Sequence, residues 1–437
     1  MFCLYFVVMK EDFLHYLWKF QKFSSLELLT TNKEELQVLK VGTHNTDSHG
    51  PDFLTAQLVI DNQKWAGNVE VHVKSSDWYR HNHQIDSNYD SVILHVVWED
   101  DVDIYRSSNI IIPTLELQSC VSAEALHGYK YLYENNKERW INCENQLNKV
   151  SSFVWDNWLE RLYFERLEEK CKPILELLLI NKNNWEETCF CLLAKAFGSN
   201  INGEAFFTMA KSIPFSIIQK EKSAFKLEAL FMGQCNMLNS ESDDVYEKEL
   251  YAEYTYLKNK FKLMTLNGIT VQFFRLRPPN FPTIRLAQLA TLYAKANNLF
   301  MLLNNSKNIS ELNSLLTSQV SGYWSSHYNF GKLSAEKKKK TTSSFQQMLL
   351  LNSVLPLRFL FQNLTKETTD CSSELILLLE ELDPESNSIV TRYKAAGVRV
   401  KSSLHSQALL TLNKSYCNLG KCLSCSIGNT LIVNYSS

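Results

Sequence analysis

His49-Gly50-Pro51-Asp52-Phe53, with Gly67-Asn68-Val69-Glu70-Val71-His72-Val73-Lys74 following it, is the stretch that decides the fold. Side chains alternate along a strand, so Glu70, His72 and Lys74 share one face while Val69, Val71 and Val73 share the other. Phe53 to Ile60 reads as the preceding strand, and Asp61-Asn62 as the tight turn joining the two. Asp52 heads the first strand and can lie beside Glu70 across an antiparallel hairpin. Three ionisable residues on one face of a core strand are costly unless they meet solvent or a metal.

Working outward, residues 11–20 place Phe13, Leu14, Leu17, Trp18 and Phe20 at helical spacing. Leu36 to Val41 is an extended segment before the hairpin. Asp77 to Tyr89 is polar with interspersed aromatics, a short helix or ordered loop. Ser91 to Trp98 is almost continuously apolar, as expected of a strand buried on both faces. Ile110 to Leu117 is a further strand, which Pro113 assigns to a sheet edge. The order is helix, three strands, a helical crossover and two strands. Beyond about residue 125, amphipathic helices take over at Trp155–Leu179, Trp185–Phe197, Gly203–Ala210, Phe225–Met237, Val245–Phe261 and Ile284–Leu303. The expected fold is therefore an α+β N-terminal domain over residues 9–125, an αβββαβ-like mixed sheet, followed by a large all-α region over residues 126–437. Residues 1–8 are expected to precede the true start at Met9.

Two adjacent carboxylates repel, and a divalent cation relieves the repulsion. Magnesium takes one or two carboxylates plus water and phosphate oxygens. Such an ion activates water and stabilises charge on a phosphate, the chemistry of phosphodiester hydrolysis. Asp52 and Glu70 are thus candidate Mg2+ ligands, with His72 or Lys74 orienting water or neutralising phosphate. Glu11 on the first helix is a candidate accessory carboxylate. His44, His49, His72, His81, His83 and His95 crowd the same region. His81 and His83 follow the third strand and can return to the site, where histidines could instead ligate zinc or a redox metal.

The hairpin resembles the PD-(D/E)XK nuclease superfamily, whose αβββαβ core carries an aspartate on one strand and (D/E)-X-K on the next. Pro51-Asp52 and Glu70-X-His72 occupy those places; His72 stands where the motif lysine is expected, and Lys74 lies two residues on. The resemblance implies a metal-dependent nuclease. The departure at His72 leaves two alternatives: a nucleic-acid-binding protein that has lost catalysis, and a histidine-rich zinc hydrolase of another class.

Charge and composition bear on partners and compartment. Residues 1–125 hold 9 basic and 18 acidic residues, a net of −9; the remainder holds 36 and 29, a net of +7. An acidic metal-binding segment on a basic body fits nucleic acid as the partner. Arg275, Arg277 and Arg285, set among Phe273, Phe274, Phe281 and three prolines, are the candidate phosphate contacts. Tyr323 to Phe330 reads as an aromatic helix–helix corner, and Lys337–Lys340 as an exposed loop or helix end. No apolar run reaches the length needed to span a bilayer, so no membrane association is expected. Eleven cysteines, mostly single within apolar stretches, indicate a reducing, cytoplasmic setting. The exception is Cys417, Cys422 and Cys425, in a Cys-X4-Cys-X2-Cys pattern suited to Zn2+ or an iron–sulfur cluster, with Cys143 or His405 as a distant fourth ligand.

Several stretches together resemble an uncharacterised bacterial family catalogued as domain of unknown function 2851. They are Gly50–Phe53, Gly67–Val73, Asp77-Trp78 with His81 and His83, and Leu94–Val97. Phe197-Gly198 with Asn202, Glu228–Leu230, Arg275–Pro278 with Asn280–Pro282, Ser406–Leu409 and the terminal cysteines continue the resemblance. It covers nearly the whole chain from Met9 and adds no activity of its own.

Overall fold

The computed structural model describes residues 9–25, 28–46, 49–133, 139–268, 270–320, 322–365 and 371–434; the opening residues 1–8 lie outside these. Helix α1 (Glu11–Lys19) sets Glu11 and Asp12 in its first turn and Lys19 in its last, each matching the helix dipole. It buries Phe13, Leu14, Tyr16, Leu17 and Trp18. The Trp18 indole N–H donates to the Val41 carbonyl at 3.1 Å.

Six strands follow: β1 (Leu36–Lys40), β2 (Thr43–His44), β3 (Phe53–Ile60), β4 (Gln63–Lys74), β5 (Val92–Glu99) and β6 (Thr114–Glu116). The sheet runs β1-β3-β4-β5-β6, with β2 also paired to β3. β1, β3 and β4 are antiparallel, whereas β5 and β6 join in parallel. Asp61 and Asn62 form the β3–β4 turn with φ of 48° and 63°. Asn and Asp accept this left-handed geometry, which matches the twist of a two-residue hairpin. β5 is buried on both faces from Val92 to Val97. Pro113 immediately precedes the edge strand β6, where the lack of an N–H costs no ladder bond. Between β4 and β5 the chain makes helix α2 (Asp77–Arg80) and two 3-10 turns, His83–Ile85 and Ser87–Tyr89. Helix α3 (Ala123–Tyr133) follows the sheet.

Two irregularities shape the β3–β4–β5 junction. Phe53 faces Val69 but Ala56 faces Gly67, so β3 carries one extra residue there, with Thr55 at φ 58°. A bulge of this kind bends a strand and re-aims its side chains. Gly67 is required by close approach: a Cβ there would lie 2.5 Å from Ile93 Cγ2 and 2.6 Å from the Ser91 carbonyl oxygen. A backbone oxygen on a neighbouring strand cannot swing away. We expect Gly67→Ala to cost about 1–3 kcal/mol, the usual penalty of overpacking, measured as a lowered urea midpoint at unchanged slope.

The chain forms two compact units. One comprises Met1–Leu162, Ser386–Val400 and Ala408–Ser437; the other Tyr163–Glu385 and Lys401–Gln407. The sheet-bearing unit thus extends beyond residue 125 and takes in C-terminal segments remote in sequence. The second unit is largely helical, with helices at Trp185–Ser212, Phe215–Lys220, Ala224–Gln234, Val245–Phe261, Pro282–Lys295 and Leu299–Asn305 among others. The break expected at Gly198–Asn202 falls at Ser199, whose φ of 54° is not helical and separates two helical segments.

The aromatic corner is packed: Trp324 is buried and its indole N–H donates to Glu228 Oε1 at 2.5 Å. The lysine run departs from expectation in one residue. Lys337, Lys338 and Lys340 are exposed, but Lys339 is buried. Its ammonium donates to the carbonyls of Trp324, Ser325 and His327, three acceptors for three N–H groups. Among the described residues, no helix is long and apolar enough to cross a membrane.

Candidate metal centre

Asp52 and Glu70 are clamped to each other's strands. The Asp52 backbone N–H donates to Glu70 Oε2 at 3.1 Å, and the Val71 N–H donates to Asp52 Oδ2 at 3.0 Å. The β3 bulge lies just beyond Asp52. Glu70 Oε1 points toward two imidazoles, 3.5 Å from His72 Nε2 and 3.4 Å from His83 Nε2. His72 Nε2 in turn lies 3.0 Å from His81 Nδ1. His72, His81 and His83 each offer a nitrogen within 4.8 Å of the others. An ion bound tetrahedrally at about 2.0–2.1 Å sets its nitrogen ligands roughly 3.3 Å apart. The His72–His81 pair, at 3.0 Å, already stands near that spacing.

Each histidine is positioned by a distinct element. His72 comes from β4, which buries Val69, Glu70, Val71 and His72 in succession. Its other nitrogen, Nδ1, is 2.8 Å from Nε2 of His95 on β5. That contact fixes the His72 ring and leaves Nε2 facing the cluster, the usual role of an outer partner to a ligating histidine. His81 and His83 come from the α2 turn. His83 stacks on Tyr89, with centroids 3.7 Å apart, and packs edge-on against buried Trp78. His81 is exposed, so the cluster opens to solvent on that side.

Burial pushes the Glu70 carboxyl up to about 9, with the neighbouring Asp52 charge adding to it. Burial holds His72 far below the ordinary imidazole range, helped by His95, His83 and His81. Burial, with His83 beside it, lowers His95 to about 3, and burial lowers His83 as well. These are neutral imidazoles crowding a carboxyl that burial alone would keep protonated.

Helix α1 adds two residues. Glu11 is raised by burial and feels His15, His81 and Asp52, which places the expected accessory carboxylate beside the cluster. His15 had no part in the sequence reading, yet its Nε2 is 3.2 Å from Asp52 Oδ2. Burial opposes its charge, but Asp52 outweighs this and raises it. The signal available was the i, i+4 spacing of Glu11 and His15, which puts both on one helix face.

Other expected residues lie elsewhere. Lys74 is exposed at the end of β4, opposite Glu99 on β5, and its ammonium pairs with Glu99 at 3.1 Å and Asp101 at 4.0 Å. His49 pairs with Asp86 at 3.2 Å, and the His44 ring stacks on Phe53. In the helical unit, Arg275 and Arg277 are exposed, but Arg285 is buried. The Arg285 guanidinium donates to Gln288 Oε1 at 2.8 Å and Asn280 Oδ1 at 2.6 Å, and lies over the Phe345 ring at 3.4 Å. It is engaged inside the unit, because the helix that follows Pro282 turns it inward.

Cys417, Cys422 and Cys425 gather in the sheet-bearing unit, and Cys143 faces all three. The backbone N–H of Lys401 donates to His405 Nδ1 at 3.1 Å. The nine described cysteines are all free thiols.

Fold and site together define a class: an α+β sheet protein with a buried carboxylate–histidine cluster, carrying a large helical unit. The family described as protein of unknown function DUF2851 matches residues 11–388, and the chain belongs to it. No curated protein and no solved structure matches the chain.

Proposed function

We propose that this protein is a metal-dependent phosphodiesterase acting on nucleic acid, with its ion held by Glu70, His72, His81 and His83. The observation that carries the reading is the convergence of a buried carboxylate with three imidazoles on one hairpin and the turn after it. Imidazole suits zinc or iron better than magnesium, which prefers oxygen. The histidine at the motif-lysine place is then a ligand. A divalent ion so held would lower the pKa of a bound water and stabilise charge on a phosphate.

The chain's own residues divide the remaining work. His95 orients His72. Asp52 locks the two strands, and His15, 3.2 Å from it and raised by it, can hold a proton at the site. The strand order supports a phosphodiesterase over other hydrolases: an antiparallel three-strand meander, a crossover and a parallel strand, as the nuclease superfamily would require. Nucleic acid as substrate is supported by the +7 balance beyond residue 125 and by exposed Arg275 and Arg277 beside exposed Phe274. A second reading, Mg2+ shared by Asp52 and Glu70, is favoured by their reciprocal backbone bonds.

The test is cleavage of a labelled DNA and RNA panel with manganese, zinc or magnesium, comparing wild type with Glu70→Gln. We expect divalent-dependent cleavage that falls at least about 100-fold in the variant, since even outer partners of a metal site are worth 10–100-fold. Wild type that binds nucleic acid without cutting it would replace the proposal with an inactive binding module. Greatest activity with magnesium would favour the two-carboxylate site.

A further inference from the structure

Eleven cysteines are spread through the chain, but four meet at one place. Cys143 stands just before a 3-10 turn, Glu144–Lys149. Cys417 and Cys422 each open a 3-10 turn near the C-terminus. Cys425 is the N-cap of the last helix, Ser426–Val433. Cys143, Cys422 and Cys425 are buried and Cys417 is half-buried. The Cys143 thiol feels Cys417, Cys425 and Cys422, and Cys417 feels the other two. All four belong to one compact unit. Cys143 is 274 positions from Cys417, so local sequence does not account for the meeting.

Burial raises all four thiols above their ordinary value, yet hydrogen-bond donors stand against the sulfurs. A thiol needs little from its neighbours, whereas a sulfur carrying charge needs donors. Asn142 Nδ2 donates to Cys422 Sγ at 3.4 Å. The Tyr393 hydroxyl is 3.3 Å from Cys417 Sγ. Cys425 faces the backbone N–H groups of Ile427 and Gly428 and the indole of Trp158. Trp158 itself is buried. Gly428 permits this arrangement: a Cβ there would lie 2.2 Å from the Cys422 carbonyl oxygen.

We propose that Cys143, Cys417, Cys422 and Cys425 bind one metal centre as a tetrathiolate, separate from the carboxylate–histidine cluster. Four thiolates serve either a zinc ion or an iron–sulfur cluster. Zinc at about 2.3 Å from sulfur would draw the four to roughly 3.8 Å from one another. Among the described residues, only the His72, His81 and His83 trio closes to within 4.8 Å. A cluster's thiolates bind separate irons and so need not stand that close. Each thiol gives up a proton to the solvent on binding. The proposal does not rest on the function assigned to the histidine site.

The experiment is metal and acid-labile sulfide analysis of the full chain, purified without oxygen or chelator. Wild type, Cys422→Ser, His72→Ala and Cys120→Ser are compared; Cys120 is a thiol outside the group. The expected result is iron and sulfide in equal amounts, about four of each per chain, with visible thiolate-to-iron absorption. It is retained in His72→Ala and Cys120→Ser and lost in Cys422→Ser. One zinc with the same pattern across the variants also supports the tetrathiolate and names the ion. Should Cys422→Ser fail to fold, wild type decides through thiol counting. Four thiols shielded from a thiol reagent until metal is removed support the site. Wild type without iron or zinc, with these four thiols freely reactive, overturns it.

Discussion

Manganese titrated calorimetrically into His72→Ala binds at least about 100-fold more weakly than into wild type, and His95→Phe loses about 10–100-fold. His72 Nε2 stands within the cluster, 3.0 Å from His81 Nδ1 and 3.5 Å from Glu70 Oε1. Removing it leaves His81 and His83 on a surface turn with no β4 imidazole between them. His95 meets the far nitrogen of His72, at 2.8 Å. Phenylalanine there fills the buried space but frees the His72 ring to rotate. Manganese is the suitable probe because thiolates prefer softer metals, so the cysteine group contributes little to the titration. Equal affinity in all three proteins would remove the histidines from metal binding and leave the carboxylates as the only candidates.

These residues differ in how far the sequence exposes them. The strand over Val69–Lys74 and the Asp61-Asn62 turn are local signals, and both form in the structure, although burial runs unbroken from Val69 to His72. Pro113 marks the edge strand for the same local reason. Lys74 shows where alternation stops being informative. It shares a face with Glu70 and His72, but it stands at the strand end opposite Glu99, and only the parallel pairing of β4 with β5 reveals that partner. His95 meets His72 through the same pairing. Asp52 depends on a bulge whose extra residue, Thr55, adopts φ 58°, a conformation that threonine does not advertise. Lys339 differs from its three lysine neighbours only in what folds over it. Cys143 was one of two possible fourth ligands, and long-range packing alone sets it against the terminal cysteines. Periodicity legible in a sequence fixes faces, whereas sites are closed by register and by contacts between distant segments.

The stability of the helical unit falls as pH rises from about 5 to 8, and Glu228→Gln removes about 3 kcal/mol of that fall. Glu228 is buried, and its Oε1 accepts from the Trp324 indole at 2.5 Å and the Tyr246 hydroxyl at 3.0 Å. Burial raises its carboxyl to about 7, although both hydrogen bonds pull the other way. The unfolded chain releases this proton near 4.5, the ordinary value. Between the two values the folded state holds a proton that the unfolded state has lost, so each pH unit costs about 1.4 kcal/mol. The contribution is complete below about 4.5 and gone above about 7. Glutamine keeps the acceptor oxygen for both donors and has no proton to lose. Other raised carboxyls, Glu70, Glu11 and Glu186 among them, titrate in both proteins and cancel in the difference. Urea unfolding of each protein at pH 5, 6, 7 and 8 measures it. Parallel curves for the two would show that Glu228 ionises in the folded protein as readily as in water, and that the Trp324–Tyr246 pocket admits solvent.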